Sequence, residues 1–479
     1  MENLKILLPG GAEKILGELA AKGHEAYVVG GCVRDSLLGR EPKDWDVCTA
    51  AKPEEVESVF DGCRIIETGL KHGTVTVVLD DGQYEVTTFR TDGVYLDNRR
   101  PESVAFVADV REDLARRDFT VNAMAFHPAV GLVDPFEGLK DLVAGRISCV
   151  GNADERFAED GLRIMRALRF ASVYGFAIAP ETADAIHRNK HLLRNIAVER
   201  VNVELCKLLC GKGAMDILLQ YSDVVSVIIP ELAACVGFDQ NNKYHQFNVY
   251  DHIAHAVGNY HGDDVVAKVA LLLHDIGKPD CYSEDENGGH FYGHPAVCGD
   301  IAEGVVRHLK LDGATQKAVV ELVLYHDSEV MPTEKAVRRW LNKIGPEQLM
   351  RLMDVQQADA MAHVAGSLAP KVERCKKVRE MVQEVLKSEQ CFTLKQLAIK
   401  GRDLMAIGVP EGRMIGQILR ELLREVIEGE ASNSHGSLCD RATELLRKPL
   451  AEKLQDAQAR CSTGNNGMSN AKEHDGIFF

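Results

Sequence analysis

The chain has 479 residues, 45% of them hydrophobic, and a formal net charge of −16. This length predicts three or four domains with enough apolar content for real cores. The acidic balance argues against an indiscriminate polyanion binder, since nonspecific nucleic-acid affinity rests on phosphate neutralisation. The 13 cysteines, scattered without a CxxC pair, argue for reduced thiols and against a disulfide framework or a zinc ribbon.

The sequence does not predict a membrane protein. No apolar run reaches the roughly 18 residues that a bilayer span needs, and Met-Glu-Asn-Leu-Lys lacks the basic start and long apolar core of a signal peptide. We therefore expect a cytoplasmic protein with no membrane partner.

The first predicted strand, Ala26 to Val29, leads into the glycine pair Gly30-Gly31. Without side chains, backbone N–H groups at this turn can approach a triphosphate. Arg34 comes soon enough after the turn to contact phosphate oxygens. A glycine pair alone is usually only a turn, so its meaning depends on the residues downstream of it.

Two carboxylates, Asp44 and Asp46, come next, around the start of a predicted strand over Asp46 to Thr49. In an extended strand residues i and i+2 point to the same face. Two carboxylates so placed can share a pair of Mg²⁺ ions roughly 3.5 to 4 Å apart, the spacing of two-metal phosphoryl chemistry. Further strands are predicted over Gly73 to Leu79 and Gln83 to Phe89, and Glu85 on the last of these offers a third carboxylate. A lone Asp-x-Asp is usually a solvated surface feature, but its position after the glycine pair favours metal-assisted nucleotidyl transfer.

Four more motifs lie further along the chain, in this order: Arg116-Arg117-Asp118-Phe-Thr-Val-Asn122, Asp134-Pro-Phe-Glu-Gly138, Glu159-Asp160-Gly-Leu-Arg163-Ile-Met-Arg166-Ala-Leu-Arg169 and Glu199-Arg200-Val-Asn-Val-Glu204. With these motifs, residues 20 to 240 resemble the class II CCA-adding enzymes and bacterial poly(A) polymerases, which are template-independent nucleotidyltransferases. The resemblance implies an α+β fold, in which a polymerase-beta-like α/β head precedes all-helical neck, HD and C-terminal body domains.

The same resemblance implies the site and its partners. Asp44 and Asp46 would be the catalytic Mg²⁺ ligands, and tRNA, CTP and ATP the substrates. The nucleotide-binding residues would be Gly30, Gly31, Arg34, Arg117, Asp118, Asn122, Asp160, Arg163, Arg166 and Arg169.

The pair Asp160 and Arg163 predicts base selection. Both share a face if Glu159 to Phe170 forms one helix. Cytosine and adenine present an amino donor next to a ring-nitrogen acceptor and match an Asp–Arg edge, whereas uracil and guanine present the reverse order. In the resembled family the Glu-Asp-x-x-Arg motif has this templating role. The alternative is a helix salt bridge worth a few tenths of a kcal/mol.

Two stretches favour full CCA addition. Thr68-Gly-Leu-Lys71-His72-Gly73 resembles the CCA-adding form and lacks the Gly-Arg/Lys-Arg-Phe stretch of poly(A) polymerases. The loop from Arg90 to Pro101 resembles the flexible loop of full CCA-adding enzymes. Poly(A) addition by the same family remains an alternative.

An acidic chain that binds RNA needs a local basic surface. Candidates are Arg99-Arg100, Arg116-Arg117, the helix carrying Arg163, Arg166 and Arg169, and the run from Lys371 to Arg379. An ordinary solvated helix face is an equally good interpretation of the last run.

Nine of the 17 histidines lie between residues 245 and 326, which marks a separate domain. There, Leu271-Leu-Leu-His274-Asp275-Ile-Gly277 places a His-Asp pair at the end of an apolar helix. This pair, with His252, Asp359 and the further candidates His294 (in Gly-His290-Phe-Tyr-Gly-His294) and His326, resembles the HD phosphohydrolase superfamily. Such ligands suit a divalent transition metal, Ni²⁺, Mn²⁺ or Co²⁺, that activates water. His245, His255, His261 and His308 are expected to be structural or surface residues.

The domain organisation predicted from these features is a nucleotidyltransferase head (1–150), a helical neck with the base-reading motif (151–240), an HD domain (241–370), a helical tRNA-binding body (371–430) and a variable, partly disordered tail (431–479). Two function classes are consistent with it. The first is CCA addition to tRNA, with the HD domain either hydrolysing phosphoesters or serving as RNA scaffold. The second is an HD phosphohydrolase or RNA-binding protein with a non-catalytic head. The oligomeric state is left open.

Overall fold

The computed structural model of the protein describes residues 6–93, 104–241, 246–286, 288–388 and 390–447. The chain forms two compact units, one from residues 1–327 and 354–371 and the other from 328–353 and 372–479. Arg99-Arg100, most of the predicted loop, His245 and the end of the tail lie outside the described residues. Within the described ranges, no helix has the length and apolar character needed to cross a bilayer.

The described residues from Gly10 to Ile147, which we call the head, are built around a mixed sheet. Its elements are α1 (Gly10–Ala21), β1 (Ala26–Val29), α2 (Gly31–Leu37), β2 (Val47–Thr49), α3 (Pro53–Val59), β3 (Arg64–Gly69), β4 (Thr74–Leu79), β5 (Gly82–Thr88), β6 (Arg90–Asp92), β7 (Val104–Phe106), α4 (Val110–Ala115), β8 (Ala125–His127), β9 (Gly131–Val133), α5 (Gly138–Ala144) and β10 (Arg146–Ile147). The four predicted strands are confirmed as β1, β2, β4 and β5, with ends that differ by at most one residue.

The seven-stranded sheet has the order β3-β4-β5-β2-β1-β8-β9. β2 and β5 run parallel, with Val47 opposite Val86, whereas the other neighbouring strands run antiparallel. All four residues of β1 are buried, as expected for a central strand covered on both faces. Because β1 is antiparallel to β2, the end of β1 lies beside the start of β2, and the start of β2 lies opposite Val86 in the second half of β5.

The sequence did not reveal β3, β8 or β9. The strands β8 and β9 have three residues each, fewer than the four to eight that make a strand pattern visible. Pairing with the buried β1, at Val28 opposite Phe126, supplies the β8 register instead.

The neck continues the first unit. Its elements are α6 (Ala153–Glu159), α7 (Leu162–Tyr174), β11 (Ala177–Ile178), α8 (Pro180–Asn189), α9 (Val198–Leu209), α10 (Ala214–Gln220) and α11 (Ser222–Ile228). β11 pairs in parallel with β10 of the head. The expectation of an all-helical neck was therefore wrong at this strand, which ties the neck to the head through backbone hydrogen bonds.

The histidine-rich region is also mainly helical. Its elements are α12 (Val249–Asn259), α13 (Val265–Leu273), β12 (Ser283–Asp285), β13 (Gly288–His290), α14 (His294–His308) and α15 (Gly313–Tyr325). The hairpin of β12 and β13 corrects the all-helical prediction here too.

The remaining helices are α16 (Glu334–Ile344), α17 (Pro346–Met361), α18 (Ala365–Lys387), α19 (Gly401–Ala406), α20 (Arg413–Glu428) and α21 (His435–Arg447). Leu404, Leu422, Leu438 and Ala442 are central to the core of the second unit. The predicted basic run lies on α18, where Arg374 pairs with Glu329 and Lys377 with Glu373. Such pairing is typical of an ordinary solvated helix face.

Candidate functional site

The glycine turn lies where β1 passes into α2. Gly30 has φ +78°, a conformation that L side chains rarely adopt. A Cβ atom there would lie 2.8 Å from Nη1 of Arg117. The N–H of Gly30 donates to the carbonyl oxygen of Met124 at 3.0 Å. Glycine is therefore required by both the turn and the approach of Arg117.

Asp46 is anchored beside this turn, because the N–H of Val29 donates to its carbonyl oxygen at 2.9 Å. Both Asp44 and Asp46 precede β2, which begins at Val47, so the strand expected to align them starts one residue later than predicted. Asp44 is exposed and Asp46 half-buried.

Glu85 joins these two aspartates through the sheet register. Val47 lies opposite Val86 in parallel strands, which brings the preceding residues, Asp46 and Glu85, side by side. Burial raises the pKa of Asp46 to about 6, with help from the Glu85 and Asp44 carboxylates and against Arg117. Asp44, Asp46 and Glu85 form what we term the carboxylate cluster, and its mutual repulsion suits a divalent cation.

Arg34 is buried with its guanidinium directed at protein partners. Nε and Nη2 donate to the two carboxylate oxygens of Asp35 at 2.9 and 3.0 Å, and Nη1 donates to Oδ1 of Asn122 at 2.5 Å. Its Cζ lies 4.9 Å from the ring centroid of Tyr174. Three of its five donors are thus engaged within the protein, and its predicted phosphate contact stays a prediction.

Asp118 connects the head to α7. Its carboxylate accepts from Nδ2 of Asn122 at 3.0 Å and from Nε of Arg166 at 2.7 Å. Burial acts to raise the pKa of Asp118, but Arg166 and Asn122 lower it to about 2. Asp118 therefore stays ionised near neutral pH, while Arg117 pairs with Asp113 at 3.3 Å.

The expected helix over Glu159 to Phe170 was wrong. α6 ends at Glu159, and α7 begins at Leu162. Asp160 is extended, with φ −137°, and its Oδ1 accepts from the N–H of Leu162 at 3.0 Å. An aspartate that caps the next helix in this way favours a helix break, so the i, i+3 geometry assumed for base reading does not apply.

Asp160 and Arg163 instead take different partners. Oδ2 of Asp160 accepts from Nη2 of Arg200 at 3.1 Å. Nη1 of Arg163 contacts Oε2 of Glu159 at 2.5 Å, and its Nη2 donates to the carbonyl oxygen of Arg116 at 3.0 Å. The sequence motif containing Arg200 was visible, but its contact with Asp160 was not, because 40 residues separate them.

The arginines of α7 do not form the basic surface that we expected. Arg163 is 8% exposed, Arg166 pairs with Asp118, and Nε of Arg169 lies 2.6 Å from Oε2 of Glu204. Carboxylates neutralise these charges, so RNA affinity must come from elsewhere.

Six of the predicted metal ligands form the second group of functional side chains. His252 lies on α12, His294 begins α14, and Asp359 lies on α17, while His274-Asp275 and His326 directly follow α13 and α15. Because the helices that supply them meet at one point, their side chains gather from residues over 100 positions apart. We term these six residues the histidine cluster.

Asp275 lies at its centre. Oδ2 of Asp275 lies 3.3 Å from Nε2 of both His252 and His274. Oδ1 lies 3.6 Å from Nε2 of both His294 and His326. One carboxylate thus faces two pairs of imidazoles, and Oδ1 of Asp359 lies 2.9 Å from Nε2 of His252.

Backbone carbonyl groups determine how three imidazoles are oriented. Nδ1 of His274, His294 and His326 contacts the carbonyl oxygens of Leu271, Phe291 and Val323 at 2.7, 2.8 and 2.7 Å, respectively. A carbonyl oxygen only accepts, so each Nδ1 carries hydrogen, and each Nε2 faces the cluster, where it presents a lone pair when the imidazole is neutral. Lone pairs of His294 and His326 only 3.1 Å apart call for a cation or a proton between them.

The pKa values of the side chains show how charge is distributed in the histidine cluster. Burial lowers the pKa of His252 to about 4. Burial also acts to lower the pKa of His274, but Asp275 and Asp359 raise it to about 10. The pKa of Asp275 lies well below the usual range because His274 and Lys278 outweigh burial, and that of Asp359 does so because His252 and His274 outweigh burial. The protonated His274 and the Lys278 ammonium, with Nζ 2.6 Å from Oδ2 of Asp275, balance the two ionised carboxylates, and a bound metal ion would replace the proton of His274.

Three overlapping sets of side chains among the described residues have metal-site geometry: His252, His274 and Asp275; His252, Asp359 and His363; Asp275, His294 and His326. The sequence prediction missed His363, although its spacing of four residues from Asp359 was a usable signal. His363 lies just after α17, which ends at Met361, and its Nδ1 contacts the carbonyl oxygen of Asp359 at 2.9 Å. His290 of the Gly-His-Phe-Tyr-Gly-His stretch pairs with Asp285 at 3.0 Å instead.

Family models match three parts of the chain. Residues 26–148 match the poly A polymerase head domain. Residues 175–236 match a "Probable RNA and SrmB-binding site of polymerase A". Residues 299–442 match domain 2 of tRNA nucleotidyltransferases.

Curated relatives match over most of the chain. The CCA-adding enzyme of Limosilactobacillus fermentum is 35% identical over 441 residues, which cover 91% of this chain and 97% of that protein. The CCA-adding enzyme of Geobacillus kaustophilus is 49% identical over 223 residues, or 46% of this chain and 55% of the relative.

Solved structures share the fold. The CCA-adding enzyme of Bacillus stearothermophilus in complex with CTP gives a TM-score of 0.68 at 30% identity, covering 91% of this chain and 97% of that one. The Thermotoga maritima CCA-adding enzyme complexed with tRNA gives 0.57 at 19% identity, covering 93% and 97%. At that identity the second likeness concerns the fold alone.

Proposed function

The chain belongs to the family of CCA-adding enzymes, and on this premise we propose that it adds C, C and A to the 3′ end of tRNA from CTP and ATP. The observation that carries the proposal is 35% identity to a curated CCA-adding enzyme over 91% of the chain. The Geobacillus kaustophilus relative is a CCA-adding enzyme as well, which favours this activity over poly(A) addition.

In the proposed reaction the terminal ribose hydroxyl of the tRNA forms a bond to the α-phosphorus of the nucleotide. The bond between the α-phosphorus and the bridging oxygen breaks, and pyrophosphate leaves. Asp44 and Asp46 would hold Mg²⁺, with Glu85 beside them. Bound Mg²⁺ supplies positive charge opposite the phosphate oxygens. An open carboxylate cluster fits Mg²⁺, which uses one or two protein carboxylates together with substrate phosphates.

Other head and neck residues would bind and orient the nucleotide. Gly30 and Gly31 would let a triphosphate approach the turn closely, and Gly31 would offer its backbone N–H, since that of Gly30 already donates to Met124. The Arg117 guanidinium lies close to Gly30. Asn122, held by Asp118 and Arg34, would contact the ribose or triphosphate. Arg166 fixes Asp118, and Arg169 fixes α7 against α9 through Glu204.

Base selection is proposed for Asp160 and Arg163, now as parts of a loop and a helix start. Arg200 would hold the Asp160 carboxylate, and Glu159 the Arg163 guanidinium. Both groups need small adjustments to meet a base edge, because each already uses part of its hydrogen-bonding capacity.

One assay tests the head. Purified protein and Mg²⁺ are incubated with tRNA ending at the discriminator base, with each labelled NTP alone and then with CTP and ATP together. Sequencing of the ends should show two C residues with CTP alone and CCA with both. Runs of A on the same tRNA would instead support poly(A) addition.

For the histidine cluster we propose a divalent metal and hydrolysis of a phosphomonoester or a 2′,3′-cyclic phosphodiester. The support is that the Nε2 atoms of several histidines lie close to the carboxylate oxygens of Asp275 and Asp359. A bound Ni²⁺, Mn²⁺ or Co²⁺ supplies the positive charge that activates water. In the monoester case water donates oxygen to phosphorus, the ester P–O bond breaks and the alcohol takes the proton. The burial of the cluster fits a tightly held transition metal.

Metal analysis tests this second proposal. After dialysis against Ni²⁺, Mn²⁺ or Co²⁺, the protein should retain metal stoichiometrically and hydrolyse phosphoesters. If neither is observed, the region is an RNA scaffold. We also propose the division into head, neck, HD domain, body and tail, and a cytoplasmic location, which the twelve free cysteines of the described residues support.

A further inference from the structure

Tyr292 is an exposed aromatic ring next to the histidine cluster. Its side chain is 76% exposed. It stands two residues before His294, so their Cα atoms lie no more than about 7 Å apart. Gly293 between them has φ +75°. This turn lets the imidazole of His294 enter the cluster while the ring of Tyr292 faces solvent.

Tyr292 is held in place on one side. The imidazole of His290 stacks on it, with centroids 5.2 Å apart and planes inclined by 12°. Nε2 of His290 lies 3.0 Å from Oδ1 of Asp285 on the opposite strand of the hairpin. Asp285, His290 and Tyr292 therefore form a preorganised support whose outer aromatic face is open.

The preceding residue, Phe291, is anchored inward. The carbonyl oxygen of Phe291 accepts from Nδ1 of His294 at 2.8 Å. The Phe291 ring packs against Tyr282, with centroids 5.6 Å apart. Tyr292 stacks on His290 by one face and is nevertheless 76% exposed, so most of its ring meets solvent.

We propose that Tyr292 is a base-stacking platform for the substrate of the histidine cluster, and that this substrate is a base-bearing ribose phosphate. The inference rests on the phosphohydrolase function proposed for that cluster. Every nucleobase has an aromatic face that stacks on such a ring, and the phosphate of the same nucleotide would then lie toward His294. Free nucleotides and the 3′ end of an RNA share this chemistry.

Binding to the full-length, Mn²⁺-loaded protein tests the platform. The probes are adenosine 2′-monophosphate and the base-free glycerol 2-phosphate, with Kd values from equilibrium dialysis and hydrolysis rates measured in parallel. Tyr292→Ser should weaken adenosine 2′-monophosphate binding by about 5- to 100-fold. Tyr292→Phe should restore it, because the ring and not the hydroxyl stacks. The ratio of the two affinities should fall only in Tyr292→Ser.

Val143→Ser provides a control, since Val143 is 83% exposed but lies on α5 of the head. Equal weakening of both probes by Tyr292→Ser, or no weakening, would overturn the platform while hydrolysis of glycerol 2-phosphate still upheld the phosphohydrolase. Absence of metal, binding and hydrolysis in the wild-type protein would overturn both. A further arm compares adenosine 2′-monophosphate with a short RNA ending in a 2′,3′-cyclic phosphate. The probe whose binding is weakened more by Tyr292→Ser shows whether the substrate is a free nucleotide or the 3′ end of an RNA.

Discussion

The carboxylate cluster of the head and the histidine cluster both bring carboxylates close together, but they differ in exposure and in the side chains that surround those carboxylates. Asp44 and Glu85 are exposed and Asp46 is half-buried, so substrate phosphates and water can complete the coordination of a hard ion. In the histidine cluster, His274 and Asp275 are at most 1% exposed and imidazoles replace water. If both clusters bind metal as proposed, the comparison teaches that an open oxygen site can take its metal together with the substrate, whereas a buried nitrogen and oxygen site would hold its metal before the substrate arrives.

The largest effect is expected from Asp46→Ala. Removing this carboxylate should lower CCA addition by about three orders of magnitude or more, because electrostatic stabilisation dominates phosphoryl transfer. The measurement is single-turnover addition to tRNA ending at the discriminator base, together with tRNA affinity, which should change little. Asp61→Ala, at an exposed position of the same domain, is the matched control. Near-normal turnover in Asp46→Ala would refute the assignment.

The next prediction concerns the histidine cluster, in which His274→Ala is combined with Asp275→Ala. This double substitution should remove stoichiometric metal and reduce phosphoester hydrolysis to background, because it takes ligands from both sides of the cluster. CCA addition should stay largely intact, since the two sites use different residues. Metal content after dialysis and both activities are measured on one preparation. A parallel loss of CCA addition, with the melting temperature unchanged, would contradict the independence of the two clusters.

A smaller effect is expected from replacing Asp160 and Arg163 together by alanine. Selection against UTP and GTP should relax by about 10- to 100-fold, since a mismatched edge costs about 1 to 3 kcal/mol. Competition assays with all four nucleotides measure the ratio. Arg200→Ala should produce part of the same relaxation, because Arg200 holds the Asp160 carboxylate. An equal loss of rate for every nucleotide, with discrimination preserved, would assign Asp160 and Arg163 a structural role.

The smallest effect is a shift in pH dependence. The pKa of Asp46 is raised to about 6, and only the ionised carboxylate holds a cation. At limiting Mg²⁺, activity should therefore fall as pH decreases through about 6, and excess Mg²⁺ should move this limb to lower pH by displacing the proton. Glu85→Gln removes one cause of the raised pKa of Asp46. The activity of this variant should therefore fall at a lower pH than that of the wild-type protein. If neither excess Mg²⁺ nor Glu85→Gln moved the acid limb of the pH profile, a group other than Asp46 would control it.

Prediction from sequence worked best where the signal was local. The strand Ala26–Val29 and the turn at Gly30 came from short patterns, whereas the set of His252, His274, Asp275 and Asp359 came from the resemblance to the HD superfamily. It failed where a break or a distant partner decided the outcome. An apolar period carried the expected helix straight through Asp160 and Gly161, although the aspartate capping the next helix competes with that continuation.

The sequence by itself determined the α+β fold, the order of the motifs and the residue types able to bind metal and phosphate. Only the tertiary structure decided which charges remain available. Glu204 and Asp118 neutralise arginines of α7 across gaps of 35 and 48 residues, and Asp359 contacts His252 across a gap of 107 residues. Motif residues fix chemistry because type and spacing are local properties, whereas pairing, burial and pKa depend on which elements meet in the folded chain.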